Sequence, residues 1–267
     1  MDILIHTLSG TTTAAFISTF SKSSSRTTKL FLVLLGGFAG ALPDIDAISL
    51  WSKFDATIGK ALHLSHLGTE IYFGKFWYSH HGFFHSFFAA ALFALIYISI
   101  RKWAFKTMLW KEYVKYAQTQ LVFAIFFFSY CSHLLGDLPT PGAVWGGIRL
   151  FFPFEMYIGG YGATWWWNNY DVFLSLSIAT FFFILIIVLE NSFYKNDYLK
   201  FSVGLYVVCV SFCIYFVTNR KISYAYTGNT SRYTYYERSS KIEQYDQLGK
   251  WLYLKMTKFD NKLPTYF

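Results

Sequence analysis

Three short segments set imidazoles and carboxylates close together. In "CSHLLGD" His133 and Asp137 stand four residues apart. On a helix that spacing puts both on one face, where a ring nitrogen and a carboxylate oxygen can reach the same cation. In "HHGFFHS" Gly82 permits a tight turn, so that His80 before it and His85 after it can face one centre, with His81 between them. In "ALPDID" Asp44 and Asp46 are two residues apart, read here as an extended turn after an apolar helix, and could bridge or cap a metal. His6 stands alone in the first apolar run. Each motif also has a plain explanation: an interfacial histidine, a hydrogen-bonded His–Asp pair, a carboxylate that stops a helix. Together they offer nitrogen and oxygen donors suited to Zn²⁺ and acceptable to Mn²⁺ or Fe.

These residues matter only if the chain brings them together. Of its 267 residues 54% are hydrophobic, 22% aromatic and 14% charged, against about 25% charged in soluble domains. That composition predicts an integral membrane protein. Residues 83–100, 172–189 and 201–218 are nearly uninterrupted apolar runs of spanning length, and 119–135 is a fourth that stops before "GDLPTPG". Residues 30–42 form a shorter run, and 3–20 form the weakest, rich in Thr and Ser. The expected fold is an all-α integral membrane protein, a bundle of about five or six transmembrane helices over residues 1–218, with a polar C-terminal tail over 219–267. If the spans alternate, His6, Asp44, Asp46, His80, His81, His85, His133 and Asp137 all fall on one face of the membrane. Gly36 and Gly40 make a GxxxG spacing that lets helix backbones approach closely.

Lys22, Arg26 and Lys29 fall between the first two runs, and Arg101, Lys102, Lys106, Lys111 and Lys115 between the third and fourth. Basic connections stay cytoplasmic, so the His/Asp face is expected to be extracytoplasmic. Nine Lys and Arg in the tail run against this assignment, although long segments obey the charge rule poorly. The net charge of +8 is explained by orientation and lipid contact, and nucleic acid is set aside as a partner. Cys131, Cys209 and Cys213 lie in apolar runs without CxxC spacing and read as buried hydrophobes. The N-terminal run lacks the charged start and cleavage site of a signal peptide. "WWW" at 165–167 reads as an interfacial belt, with lipid headgroup docking as the minor alternative. "YAYTGNTSRYTYYERSS" alternates aromatic and polar residues as a strand does, and could form a small cap beside the site or pack on lipid.

His6, "ALPDID" at 41–46, "HHGFFHS" at 80–86 and "CSHLLGDLPTPGAVWGGIRLFFPF" at 131–154 occur in an order that resembles the YdjM-type family of LexA-regulated, membrane-bound, metal-dependent hydrolases of the bacterial inner membrane. The resemblance covers roughly residues 1–190. It implies metal roles for His6, Asp44, His80, His85, His133 and Asp137. His81 stands where the family usually has Arg, and Phe84 where it usually has Thr, so an anion clamp is missing.

The chemistry expected is metal-assisted hydrolysis, with Asp46 or His81 as general base. Membrane lipids are the expected partners and a lipid-linked ester or phosphoester the expected substrate. Two other classes fit the same residues: a non-catalytic metal-binding membrane protein, and a metal or proton transporter, which would need ionisable groups at midplane depth.

Overall fold

The computed structural model describes residues 1–21, 24–107, 117–189 and 195–263. Lys22, Lys111 and Lys115 of the basic connections therefore lie outside the described residues, as do the last four residues of the tail. The described chain is helical: α1 Ile3–Thr19, α2 Arg26–Ala41, α3 Gly68–Phe73, α4 Phe87–Thr107, α5 Ala117–Asp137, α6 Tyr170–Leu189, α7 Lys195–Thr218 and α8 Tyr233–Asp260. Among the described residues there are isolated β-bridges and no strand.

Among the described residues four segments are long and apolar enough to cross a membrane: Arg26–Leu50, Thr119–Asp137, Tyr170–Leu189 and Asp197–Thr218. The helices α1 and α4 pack in the same bundle. In fact α1 is its centre, lying against α2, α5 and α6. Its weak hydropathy follows from that position, because it is covered by protein rather than lipid. Ser129 Oγ donates to the Gly10 carbonyl at 3.0 Å, the Thr12 and Thr180 hydroxyls are 2.7 Å apart, and those of Ser9 and Ser132 are 3.0 Å apart. Hydrogen bonds of this kind between membrane helices contribute about 1 kcal/mol each.

The glycine spacing serves the same helix. A methyl group at Gly10 would collide with the Gly36 carbonyl and the Gly40 backbone, so α1 and α2 touch backbone to backbone. Ala14, Ala39, Ala90, Ile125 and Leu134 fill one core beside this seam, and Ala15, Val172, Phe183 and Cys209 fill another. Outward-facing Phe181, Val207 and Phe212 leave an apolar surface on α6 and α7, as lipid contact requires.

Capping fixes where the site-bearing helices begin. The Asp2 carboxylate accepts from the Leu4 and Ile5 amides, and Ser86 Oγ accepts from the Ala89 amide. Residues 42–50, expected to be an extended turn, instead form a 3₁₀ helix that starts with Pro43 in its first turn.

The tail also departs from expectation. Residues 223–226 have no regular structure and Thr227 makes a single bridge to Ala143, the aromatic–polar alternation does not make a strand, and Tyr233 to Asp260 is helical with a break at Gly249 (φ 72°). Alternation over so few residues is weak against a helix that buries Tyr236, Ser240, Gln244 and Met256 at helical spacing. Nor do the tryptophans at 165–167 make a simple belt. Trp165 is wholly buried beside Tyr224 and Tyr236 of the tail.

Candidate metal centre

Four elements deliver the cluster. The last turn of α5 presents His133 and Asp137, and the 3₁₀ helix after α2 presents Asp44 and Asp46. The short turn Phe83–His85 before α4 presents His85, and the first turns of α1 present His6. At about three residues per turn, positions two apart in a 3₁₀ helix point to different sides. Asp44 accordingly faces His85 and His133, whereas Asp46 faces His80 and the other edge of His85.

The inner group is formed by His85 Nε2, His133 Nε2, Asp44 Oδ1 and Asp137 Oδ2. The two imidazole nitrogens are 3.3 Å apart. Asp44 Oδ1 is 3.6 Å from each of them, and Asp137 Oδ2 is 3.5 Å from His85 and 3.1 Å from His133. Four donors at the usual zinc bond lengths of about 2.0–2.1 Å, arranged as a tetrahedron, stand about 3.3 Å from one another. Five of the six pair distances, at 3.1–3.6 Å, lie near that figure.

Hydrogen bonds on the far edges fix which nitrogen faces inward. The Gly40 carbonyl can only accept, so at 2.8 Å it takes the Nδ1–H of His133 and leaves Nε2 as the lone-pair donor. His81 Nδ1 likewise donates to the Gly147 carbonyl at 3.0 Å. Asp46 Oδ1 is 2.6 Å from His80 Nδ1, and its Oδ2 is 3.5 Å from His85 Nδ1. Asp46 Oδ1 thus bonds the His80 ring, while its Oδ2 faces the His85 ring in a longer, ionic contact. His6 Nε2 lies 3.0 Å from Asp137 Oδ1 with its ring stacked on His133 at 3.6 Å, and His6, His133 and Asp137 form a further group whose donor atoms lie within 4.8 Å of one another and could hold a metal, as expected for His6. The Met1 amino nitrogen lies 2.9 Å from the same Oδ1.

An outer group is formed by His80, His81 and His85, whose ring nitrogens also come within 4.8 Å of one another. His81 holds a left-handed backbone (φ 64°), which is uncommon outside glycine and sits here at the site itself. Burial, reinforced by His80 and His85, holds its pKa well below the usual imidazole range, so it is neutral at pH 7. Every residue expected at the site is therefore brought to it. His63 and His66 are not: they lie apart, His66 stacked on Phe76.

A cavity of about 720 Å³ opens over the cluster and reaches Asp44, His80, His81 and Asp137 but not Asp46. Its walls hold Tyr72, which no motif pointed to, and Trp145 and Trp166, which lie within motifs but are not among the residues expected at the site. Tyr72 stacks on His80 at 4.4 Å, and Trp145 packs against His81 at 4.4 Å. Arg149 is buried and donates to the Pro153 and Phe154 carbonyls, and its amide donates to the His81 carbonyl. Aromatic residues are too common in this chain for these to stand out.

No curated protein and no solved structure matches the chain. The sequence model of the YdjM inner membrane protein family matches residues 1–221, which contain all four elements that build the cluster, and the chain belongs to that family.

Proposed function

We propose that the protein is a membrane-bound, metal-dependent hydrolase acting on a lipid-linked ester or phosphoester at the extracytoplasmic face of the bacterial inner membrane. The observation that carries this is the inward-facing set of His85 Nε2, His133 Nε2, Asp44 Oδ1 and Asp137 Oδ2, five of whose six pair distances are 3.1–3.6 Å, beneath an open cavity. Two nitrogen lone pairs at 3.3 Å with two carboxylates beside them are stable only around a shared cation or proton. Zn²⁺ fits this donor set best, and Mn²⁺ or Fe are the alternatives. Such a cation supplies Lewis acidity and an acidified water at neutral pH.

The chain's own residues divide the remaining work. Asp46 and His6 orient the ligating rings and carboxylate. His81, neutral and lining the cavity, takes the proton of the attacking water on Nε2, its Nδ1–H remaining on the Gly147 carbonyl. Of the two general-base candidates it is the one that reaches the cavity. The apolar wall and the placement of the cluster at span ends suit a substrate drawn from the lipid surface, and speak against a midplane transport path.

The test is metal analysis of protein purified in maltoside detergent, followed by turnover of phospholipid and isoprenoid phosphate substrates by wild type and Asp137→Asn. Bound metal with turnover that Asp137→Asn abolishes is the expected result. Bound metal without turnover of any substrate would favour the binding-only role, and absence of metal would overturn both.

A further inference from the structure

The family match stops at residue 221, yet residues beyond it close the cavity. Tyr226, Asn229, Thr230 and Tyr233 line its outer side. This wall is docked firmly. The Ala143 amide donates to the Tyr226 carbonyl at 3.1 Å, the Gly228 amide to the Ala143 carbonyl at 2.7 Å, and the Tyr224 amide to the Gly162 carbonyl at 2.7 Å. Behind it Glu243, itself buried, accepts from the Lys221 and Ile222 amides and from the Tyr224 hydroxyl.

The lining has a distinctive charge pattern. The chain carries 23 Lys and Arg, but none is among the described residues that line the cavity; its charged groups are the Met1 ammonium, paired with Asp137 at 2.9 Å, and the carboxylates of Asp2, Asp44 and Asp137, of which the last two face the metal centre. Sites that read an anionic head use Arg or Lys. Here the walls are aromatic instead. Trp145 stands nearly perpendicular to Trp166 (86°, centroids 6.3 Å apart) and to Tyr72 (79°, 5.5 Å), so the three rings form a corner. Trp166 is held by donating Nε1–H to the Tyr226 hydroxyl at 3.3 Å, which ties the corner to the C-terminal wall. Electron-rich ring faces attract an organic cation, above all a quaternary ammonium.

We propose that this recess binds the quaternary ammonium of a zwitterionic lipid head, and that the C-terminal segment 222–233 is a specificity wall. The proposal rests on the hydrolase reading only in calling that lipid a substrate; binding of the cation is a separate property.

Calorimetric titration of the full-length, metal-loaded protein in maltoside detergent with dihexanoylphosphocholine and dihexanoylphosphoglycerol tests it. The phosphocholine is expected to bind about ten-fold more tightly, or better, and tetramethylammonium chloride to compete with it. Trp166→Leu and Tyr226→Leu are each expected to weaken phosphocholine binding about three- to thirty-fold and to leave the phosphoglycerol unchanged. Equal affinity for the two heads, or no competition by tetramethylammonium, would overturn the proposal. Choline binding more tightly than the lipid would overturn its lipid part. A head preference without turnover of either lipid would sink the hydrolase reading alone, and turnover without a preference would sink this proposal alone.

Discussion

Asp46 Oδ1 lies 2.6 Å from His80 Nδ1, and the other oxygen of the same carboxylate lies 3.5 Å from His85 Nδ1. One acid thus faces two rings. Asp46→Asn keeps an acceptor for one ring but loses the charge and turns an amide N–H₂ toward the other. We expect it to lower metal affinity about 10- to 100-fold, whereas His85→Ala, which removes an inward-facing nitrogen, abolishes stoichiometric metal. Chelator competition against the purified proteins reads both. Unchanged affinity in Asp46→Asn would show that the carboxylate does not position the rings.

The close approach of α1 and α2 predicts a sharp contrast between two glycines. Gly10→Ala drives a methyl into the Gly36 carbonyl and Gly40 backbone. Overpacking of this kind costs about 1–3 kcal/mol. At Gly204, inside α7, nothing lies within 4 Å of an added Cβ, and alanine should be neutral or stabilising by up to ~1 kcal/mol. Thermal unfolding followed by circular dichroism in detergent distinguishes them, and equal midpoints would contradict the packing.

Stability should also depend on pH through His81. Burial depresses its pKa in the folded protein, with His80 and His85 adding to the effect. Between that depressed value and the ordinary imidazole value of about 6.5 the unfolded chain binds the extra proton and the folded chain does not. Stability from this group is therefore complete above about 6.5 and declines as the pH falls below it. His81→Gln removes the titration, and its unfolding midpoint should vary less between pH 5 and 6.5. A slope as steep as that of wild type would remove His81 from the account.

Much of the site was legible because its chemistry is expensive in a membrane. His80, His85, His133, Asp44 and Asp137 stand out against apolar surroundings, and alternation of spans is enough to bring them to one face. What alternation cannot supply is the division of labour. Asp44 and Asp46 look equivalent in "LPDID", and only the three-residue turn of a 3₁₀ helix sends one inward and the other behind the rings. The central position of α1 was hidden for a related reason. Its Thr and Ser residues lower the hydropathy that identifies a span, yet Ser9 and Thr12 are residues that bond it to α5 and α6. The aromatic wall was the least legible part, since it depends on a long-range return of the tail to residues 143 and 162.

That return is anchored by an ion pair between Arg220 and Asp171. Arg220 Nη1 lies 2.9 Å from Asp171 Oδ2, with both side chains almost entirely buried, and Arg220 also bonds Gln247 of α8. Desolvation makes such a pair a modest net stabiliser, but removing one partner leaves the other charge stranded at a cost of about 3–5 kcal/mol. Arg220→Met should therefore lower the unfolding midpoint and open the segment 222–233 to protease. Arg220→Met combined with Asp171→Asn leaves no unpaired charge and should recover a large part of the loss, a coupling that a double-mutant cycle measures. If the double variant is no more stable than Arg220→Met alone, the tail is held by its aromatic contacts with Trp165 and not by this pair.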